Sequence, residues 1–95
     1  PKFALAFALI ENHYFVNKGF LENENQLIET GIDIIRHIPT TIVQGRYDIV
    51  CPMATAWELS KNWPEAKLIV APSSGHTAFE KEITHELIKA TNGYA

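Results

Sequence analysis

Cysteine is almost absent from this 95-residue sequence, because Cys51 is the only one. A single thiol cannot close an internal disulfide, and no C-x-x-C pair or Cys/His cluster has the spacing of a zinc site. We therefore expect no metal site; a cofactor is also not expected. A lone free thiol is typical of proteins in a reducing compartment, so we expect a cytoplasmic location.

Basic clusters and long apolar runs are also missing. Eight Lys and Arg residues against eleven Asp and Glu residues give a formal net charge of −3. Without a basic stripe to neutralise phosphates, a nucleic-acid partner is not expected.

The initial segment PKFALAFALI is too short to span a bilayer, and the residues after it do not form a signal-peptide cleavage site. We expect no membrane segment, and we interpret the sequence as beginning inside a helix.

The composition is typical of a folded domain, since 46% of the residues are hydrophobic and 20% are charged. The length allows at most one small domain. Residues 2–16 are apolar at nearly every position up to Ile10, which predicts a helix buried on most sides. If its packing partners were missing, that helix would present an exposed apolar patch. Apolar spacing predicts a second helix over residues 23–35, which Gly31 can divide.

Two strand-loop-helix units make up the rest of the chain. Short apolar strands are predicted over residues 40–45 and 67–71, each followed by a turn. The helix between them is predicted to start after Pro52 and to bury Met53, Ala56, Trp57 and Leu59, with Trp63 packing at its end. Such a crossover requires the two strands to be parallel. A last helix is predicted over residues 79–90, with Phe79, Ile83, Leu87 and Ile88 inward and Asn92-Gly93 as its end.

Each strand is followed by a titratable side chain, Asp48 after the first and His76 after the second. The carboxyl ends of adjacent parallel strands meet at one edge of a sheet, where functional groups gather. In isolation, an Asp in such a loop is usually a capping residue, and a His after Gly is usually a cap or a surface residue. Together they favour catalysis, with Asp48 orienting His76 as a general base.

A serine nucleophile for this pair is not found among the 95 residues. In the α/β-hydrolases it lies in a G-x-S-x-G turn and precedes the Asp and the His, but Ser60, Ser73, Ser74 and Thr77 lack that context. Cys51 is an alternative nucleophile with His76, although a small apolar filler is the commoner role for such a residue. We therefore interpret residues 1–95 as the C-terminal portion of a larger enzyme.

Glu11 is the third candidate residue, because a carboxylate that follows a strongly apolar segment is costly to bury without a partner. By default it marks the point where the helix reaches the surface. If it is buried, it is suited to hold a cation such as a substrate amine. His13, His37 and His85 lack metal-ligand spacing and are expected to be structural or exposed.

Four segments carry a resemblance to a known family: ALAFALIENHYF, IPTTIVQGRYDIVCPM, WELSKNWPEAKL and PSSGH. They are similar to the C-terminal third of the proline iminopeptidases, which are serine α/β-hydrolases. The resemblance extends from Ala4 to about Thr91. The segments GRYDIVCP and IENHYF together are specific, whereas SGH alone is generic to the superfamily.

The resemblance implies that Asp48 is the triad acid, that His76 is the base and that Glu11 binds the free N-terminal amine of a peptide beginning with proline. It also implies that the oxyanion-hole HGG segment, the G-x-S-x-G serine and most of the cap domain lie upstream of Pro1. The expected fold is therefore the C-terminal part of an α/β-hydrolase, with two parallel strands, a crossover helix and flanking helices. The 95 residues alone are expected to be inactive.

Two other hypotheses remain open at this point. The chain can belong to an α/β-hydrolase of another type, such as an esterase, epoxide hydrolase or haloperoxidase-like enzyme, which has no need of an amine-binding Glu11. It can also be a non-catalytic truncated module that binds a partner through its apolar first helix. Because bare sheet edges and apolar surface favour association, we expect the isolated chain to self-associate.

Overall fold

The computed structural model describes residues 1–95 and contains two parallel strands with helices around them. Strand β1 (Thr41–Gly45) pairs with strand β2 (Lys67–Ala71), with Thr41 opposite Lys67 and Gly45 opposite Ala71. The backbone N–H of Lys67 also donates to the Thr40 carbonyl oxygen, just before β1. The predicted parallel pairing is confirmed.

Helices account for most of the remaining residues. Helix α1 spans Lys2–Val16 and is followed by a 3-10 turn at Lys18–Phe20. A π-helical turn at Leu27–Gly31 leads into the short helix α2, Ile32–Ile35. Helix α3 spans Met53–Asn62 and connects the strands as predicted, and helix α4 spans Lys81–Gly93.

Helix α1 is exposed along its whole length. None of its residues is buried, and its principal contacts are with the 3-10 turn that follows it. Phe3, Phe7, Ile10 and Tyr14 recur every three or four residues, so they form one apolar stripe, which we call the α1 stripe. Their exposed fractions lie between 54% and 81%. The prediction of burial on most sides is therefore wrong for this chain, which instead has the exposed apolar patch. None of the helices combines the length and the apolar composition that a membrane-spanning segment needs.

The second predicted helix begins four residues later than expected. Asn23 Oδ1 accepts a hydrogen bond from the Asn25 backbone N–H at 3.1 Å, and the Gln26 side chain accepts one from Glu22 N–H at 2.7 Å. These side-chain contacts hold the backbone in a turn rather than in a helix. Gly31 lies at the junction of the π-helical turn and α2, so the helix is divided where glycine was expected to divide it.

The largest group of buried side chains lies between α2, α3 and the strands. It consists of Ile32, Trp63 and Ala66, with Ile28, Ile42 and Leu59 packed against it. Trp63 therefore packs as predicted. Trp57 does not, because α3 contacts the strands through the side that carries Ala56, and this leaves Trp57 57% exposed.

Helix α4 begins two residues later and ends three residues later than predicted. The Thr77 carbonyl oxygen accepts the Glu80 N–H, and the Thr77 hydroxyl accepts the Phe79 N–H, so residues 77–80 form a turn before the helix. Phe79 is consequently 93% exposed, and its predicted inward position is wrong. Ile83 is buried as predicted, whereas Leu87 and Ile88 are exposed. Asn92 and Gly93 lie within the last helical turn.

Candidate active site

The candidate site lies at the edge where β1 and β2 both end. The loop after β1, residues 46–52, carries Asp48, and the loop after β2, residues 72–77, carries His76. Two backbone hydrogen bonds hold the first loop in place: Arg46 N–H donates to the carbonyl oxygen of Ala71, the last residue of β2, at 3.0 Å, and Tyr47 N–H donates to that of Ser74 in the second loop at 2.9 Å. Parallel strand pairing thus extends into the loops and holds the two candidate residues side by side.

Asp48 and His76 are in direct contact. The Nδ1 atom of His76 lies 3.0 Å from Oδ2 and 3.1 Å from Oδ1 of Asp48. The Asp48 side chain is 8% exposed and the His76 side chain is 53% exposed. The predicted proximity of the two side chains is confirmed. Nδ1 is hydrogen-bonded to the carboxylate. The other ring nitrogen, Nε2, has no hydrogen-bond partner within the chain and is free to exchange a proton.

The environment of Asp48 favours its charged form. The Cys51 backbone N–H donates to Asp48 Oδ1 at 2.8 Å, and this hydrogen bond contributes most to lowering the pKa of Asp48 below its ordinary value of 3.8. Burial of the carboxyl acts in the opposite direction, and the contact with His76 lowers the pKa further. Asp48 is therefore a carboxylate at neutral pH and can stabilise a protonated imidazole.

Cys51 lies at the edge of this pair and is exposed, so its expected role as a buried apolar filler is wrong. The metal-ligating atoms of Asp48, Cys51 and His76 lie within 4.8 Å of one another. This is the one set of such residues in the chain that is compact enough to hold a metal ion. Hydrogen bonds explain the proximity of these three residues without a metal ion. The Cys51 N–H and the His76 ring each bond one oxygen of the Asp48 carboxylate.

Two glutamates that sequence reasoning missed hold the His76 loop. Glu82 Oε2 accepts hydrogen bonds from Ser73 N–H and from the Ser74 hydroxyl, each at 3.0 Å. Glu80 Oε2 accepts one from Gly75 N–H at 2.9 Å. Acidic residues near the start of a helix are usually explained by favourable interaction with the helix dipole. The sequence therefore contained no sign that these two glutamates bond the loop before the helix.

Glu11 does not join the Asp48–His76 pair. It is exposed on α1, and its side chain forms no hydrogen bond or ion pair within the chain. His13 contacts the ring of Phe20 at a centroid distance of 5.3 Å, while His37 and His85 are exposed. The structure therefore brings together two of the three candidate residues, and the surroundings of Glu11 consist of α1 and solvent.

Comparison with known proteins identifies a family and several relatives. The profile of the α/β-hydrolase family described as TAP-like protein matches residues 22–89. The chain is 57% identical over 93 residues to a protein of Xanthomonas citri named proline iminopeptidase, and 58% identical over 89 residues to one of Arabidopsis thaliana with the same name. A proline iminopeptidase of Neisseria gonorrhoeae is 52% identical over 87 residues.

These matches cover nearly all of this chain but a small part of each relative. They extend over 98%, 94% and 92% of the present residues, respectively. The same matches account for 29%, 23% and 27% of the relatives' lengths. The chain thus spans less than a third of the curated relatives it matches.

Proposed function

Because this chain belongs to the TAP-like protein family of the α/β-hydrolases, we propose that residues 1–95 are the C-terminal portion of a serine α/β-hydrolase domain. The proposed activity of the complete protein is the release of N-terminal proline from peptides. The observation that carries this proposal is the 3.0 Å contact between His76 and Asp48 at the ends of two adjacent parallel strands. The identity of the chain to proteins named proline iminopeptidase supports the choice of substrate.

His76 is the proposed general base. Asp48 accepts the Nδ1–H, so the neutral ring carries its proton on Nδ1 and presents the Nε2 lone pair. Nε2 takes the proton of a serine hydroxyl as that oxygen attacks the scissile carbonyl, and later gives it to the leaving amine. The charge of Asp48, favoured by the Cys51 N–H, stabilises the imidazolium formed between these steps. The serine and its oxyanion hole are proposed to lie outside these 95 residues.

Glu11 is the proposed anchor for the substrate's imino nitrogen. An N-terminal proline carries a positive charge at a fixed distance from its carbonyl carbon, and a carboxylate is suited to bind it with a charge-assisted hydrogen bond. Glu11 has no partner within the chain that competes for this role. An esterase of the same fold needs the Asp48–His76 pair but not a carboxylate at position 11.

The exposed α1 stripe supports two further proposals. In the complete enzyme, we propose that other parts of the hydrolase domain cover it, and that the 95 residues expressed alone self-associate through it. We also propose a cytoplasmic location, which the exposed free thiol of Cys51 supports. A peptide substrate is the proposed partner of the complete enzyme.

Proline release from proline-β-naphthylamide tests the proposed activity. We expect the complete polypeptide to release naphthylamine and the purified 95-residue chain to be inactive, because its Asp48–His76 pair has no serine to deprotonate. Hydrolysis of a simple naphthyl ester but not of the prolyl substrate by the complete polypeptide would favour the esterase hypothesis. Turnover by the 95-residue chain would refute the proposal that the serine lies outside these residues.

A further inference from the structure

We propose that Glu82 is a positioning residue that fixes the His76 loop for catalysis, assisted by Glu80. This proposal rests on the proposed function, because it assigns the two glutamates to the same Asp48–His76 site. Neither side chain contacts His76 itself through a hydrogen bond. Their effect is therefore expected to be on the position of the imidazole and not on the reacting atoms.

The hydrogen bonds that Glu82 accepts come from the centre of the loop. One carboxylate oxygen, Oε2, receives both the Ser73 N–H and the Ser74 hydroxyl at 3.0 Å. Ser74 is 3% exposed, so the loss of this acceptor would leave a buried hydroxyl without its partner. Glu80 adds a third bond at 2.9 Å to Gly75, the residue directly before His76. Three consecutive loop residues are thus held by Glu82 in the first turn of helix α4 and by Glu80 directly before it.

The end of strand β1 and the loop after it also contact these residues. Tyr47 N–H donates to the Ser74 carbonyl oxygen at 2.9 Å, and the Gly45 backbone lies directly against the carbonyl group of Gly75. The loop is therefore clamped between the Asp48-bearing segment and the two glutamates. Removing one side of this clamp would let the His76 ring move away from Asp48.

The two carboxylates have no competing structural task within the chain. Neither forms an ion pair, and the N-cap residue of helix α4, Glu80, makes no side-chain capping hydrogen bond. Carboxylates in the first turn of a helix commonly bond their own helix's free N–H groups. Here both reach back to the loop, which a role in helix capping alone does not explain.

The test compares Glu82→Ala and Glu82→Gln with Glu86→Ala in the complete polypeptide. Glu86 lies one turn further along α4, is also half-buried and has no hydrogen bond to the loop. We expect Glu82→Ala to lower kcat on proline-β-naphthylamide about 10-fold to 100-fold, as for a misplacement of about 1 Å, with a smaller change in KM. Glu82→Gln retains an oxygen acceptor and should recover most of kcat, and Glu86→Ala should match the wild type.

A spectroscopic readout separates this proposal from the proposed function. The Nδ1 proton of His76, bonded to Asp48, is expected as a downfield imidazole resonance in the wild type, absent from His76→Asn. Glu82→Ala should broaden or shift it, and Glu86→Ala should not. The resonance tests the role of Glu82 even if the wild type does not cleave the prolyl substrate. Turnover of that substrate tests the proposed function.

Retention of both kcat and the imidazole resonance in Glu82→Ala would overturn the proposal. If Glu82→Ala lacks a cooperative unfolding transition, Ser74→Ala takes its place, because it removes one donor and leaves the carboxylate. We expect Ser74→Ala to lower kcat by roughly tenfold, the lower end of the effect of losing one hydrogen bond to a charged group, and to shift the resonance. Wild-type kcat and resonance in a folded Ser74→Ala variant would likewise overturn it.

Discussion

The backbones of Gly45 and Gly75 are in contact where the two strands end. A Cβ atom added to Gly45 would lie 2.0 Å from the Gly75 carbonyl oxygen and 2.8 Å from that of Ser74. Non-bonded heavy atoms do not approach so closely, and both obstacles are backbone atoms that cannot rotate away. The short distance between Asp48 and His76 therefore requires a glycine at position 45.

Gly45→Ala is expected to separate the two loops. In the complete enzyme, we expect the free energy of unfolding to fall by about 1–3 kcal/mol, as for overpacking. The value of kcat/KM should fall by about 100-fold, because the His76 loop is displaced. Denaturant unfolding and steady-state kinetics measure these effects. Gly93→Ala is the matched control, since no atom lies within 4 Å of its added Cβ; equal losses in both variants would contradict the argument.

Asp48→Asn is expected to lower kcat of the complete enzyme by roughly 10⁴-fold, the effect of the same change in a serine protease triad. The amide keeps the size of the side chain but loses its charge and can impose the wrong imidazole tautomer. The control is Asp33→Asn, which removes an exposed carboxylate paired with Arg36 and should leave kcat unchanged. A loss of less than tenfold in Asp48→Asn would argue against its role as triad acid.

The pKa of Asp48 is expected to lie below 3.8 in the folded protein, because the Cys51 N–H and His76 stabilise the carboxylate. A lowered folded-state pKa means that Asp48 contributes stability at pH values above its unfolded pKa of about 3.9. That contribution is lost as the pH falls through the lower folded-state value. A ¹³C NMR titration of the Asp48 carboxyl measures the midpoint, and a midpoint at or above 3.8 would disagree with the structure.

Glu11→Gln is expected to weaken recognition of the substrate amine in the complete enzyme. Loss of one charge-assisted hydrogen bond, about 1.5–3 kcal/mol, corresponds to a decrease of about 10-fold to 100-fold in kcat/KM for proline-β-naphthylamide. Turnover of naphthyl acetate, which has no amine, should not change. Glu29→Gln removes another exposed carboxylate and serves as the control. An equal effect on both substrates would indicate a structural role for Glu11.

The 95-residue chain alone is expected to self-associate through the α1 stripe. Sedimentation velocity should detect oligomers, and the double change of Phe7 and Ile10 to Gln should shift the distribution toward monomer. Phe79→Gln, which removes an apolar side chain that is 93% exposed but lies outside the stripe, should have little effect. A compact monomer for the unaltered chain would rule out this association.

Much of the site could be predicted because it depends on local sequence. Alternating strand, turn and helix signals located β1, α3 and β2, and parallel pairing then required Asp48 and His76 to lie at one edge. The hydrogen bonds that Glu80 and Glu82 accept from the His76 loop could not be predicted. They depend on the angle at which α4 leaves the loop, and no residue spacing encodes that angle.

Burial was predicted less well than secondary structure, because it depends on what packs against each element. Trp57 and Trp63 illustrate this: both were expected to pack, yet Trp63 is 6% exposed and Trp57 is 57% exposed. Similarly, the apolar pattern of residues 2–16 determined that α1 is a helix but not that its stripe lies open.

The sequence by itself determined which segments become strands and helices and which two titratable residues follow the strands, since these properties arise from short-range backbone and side-chain preferences. The tertiary structure decided the 3.0 Å contact of Asp48 with His76, the backbone contact of Gly45 with Gly75 and the exposure of α1. Each of these depends on atoms far apart in the chain, whose distances are fixed only when the elements pack.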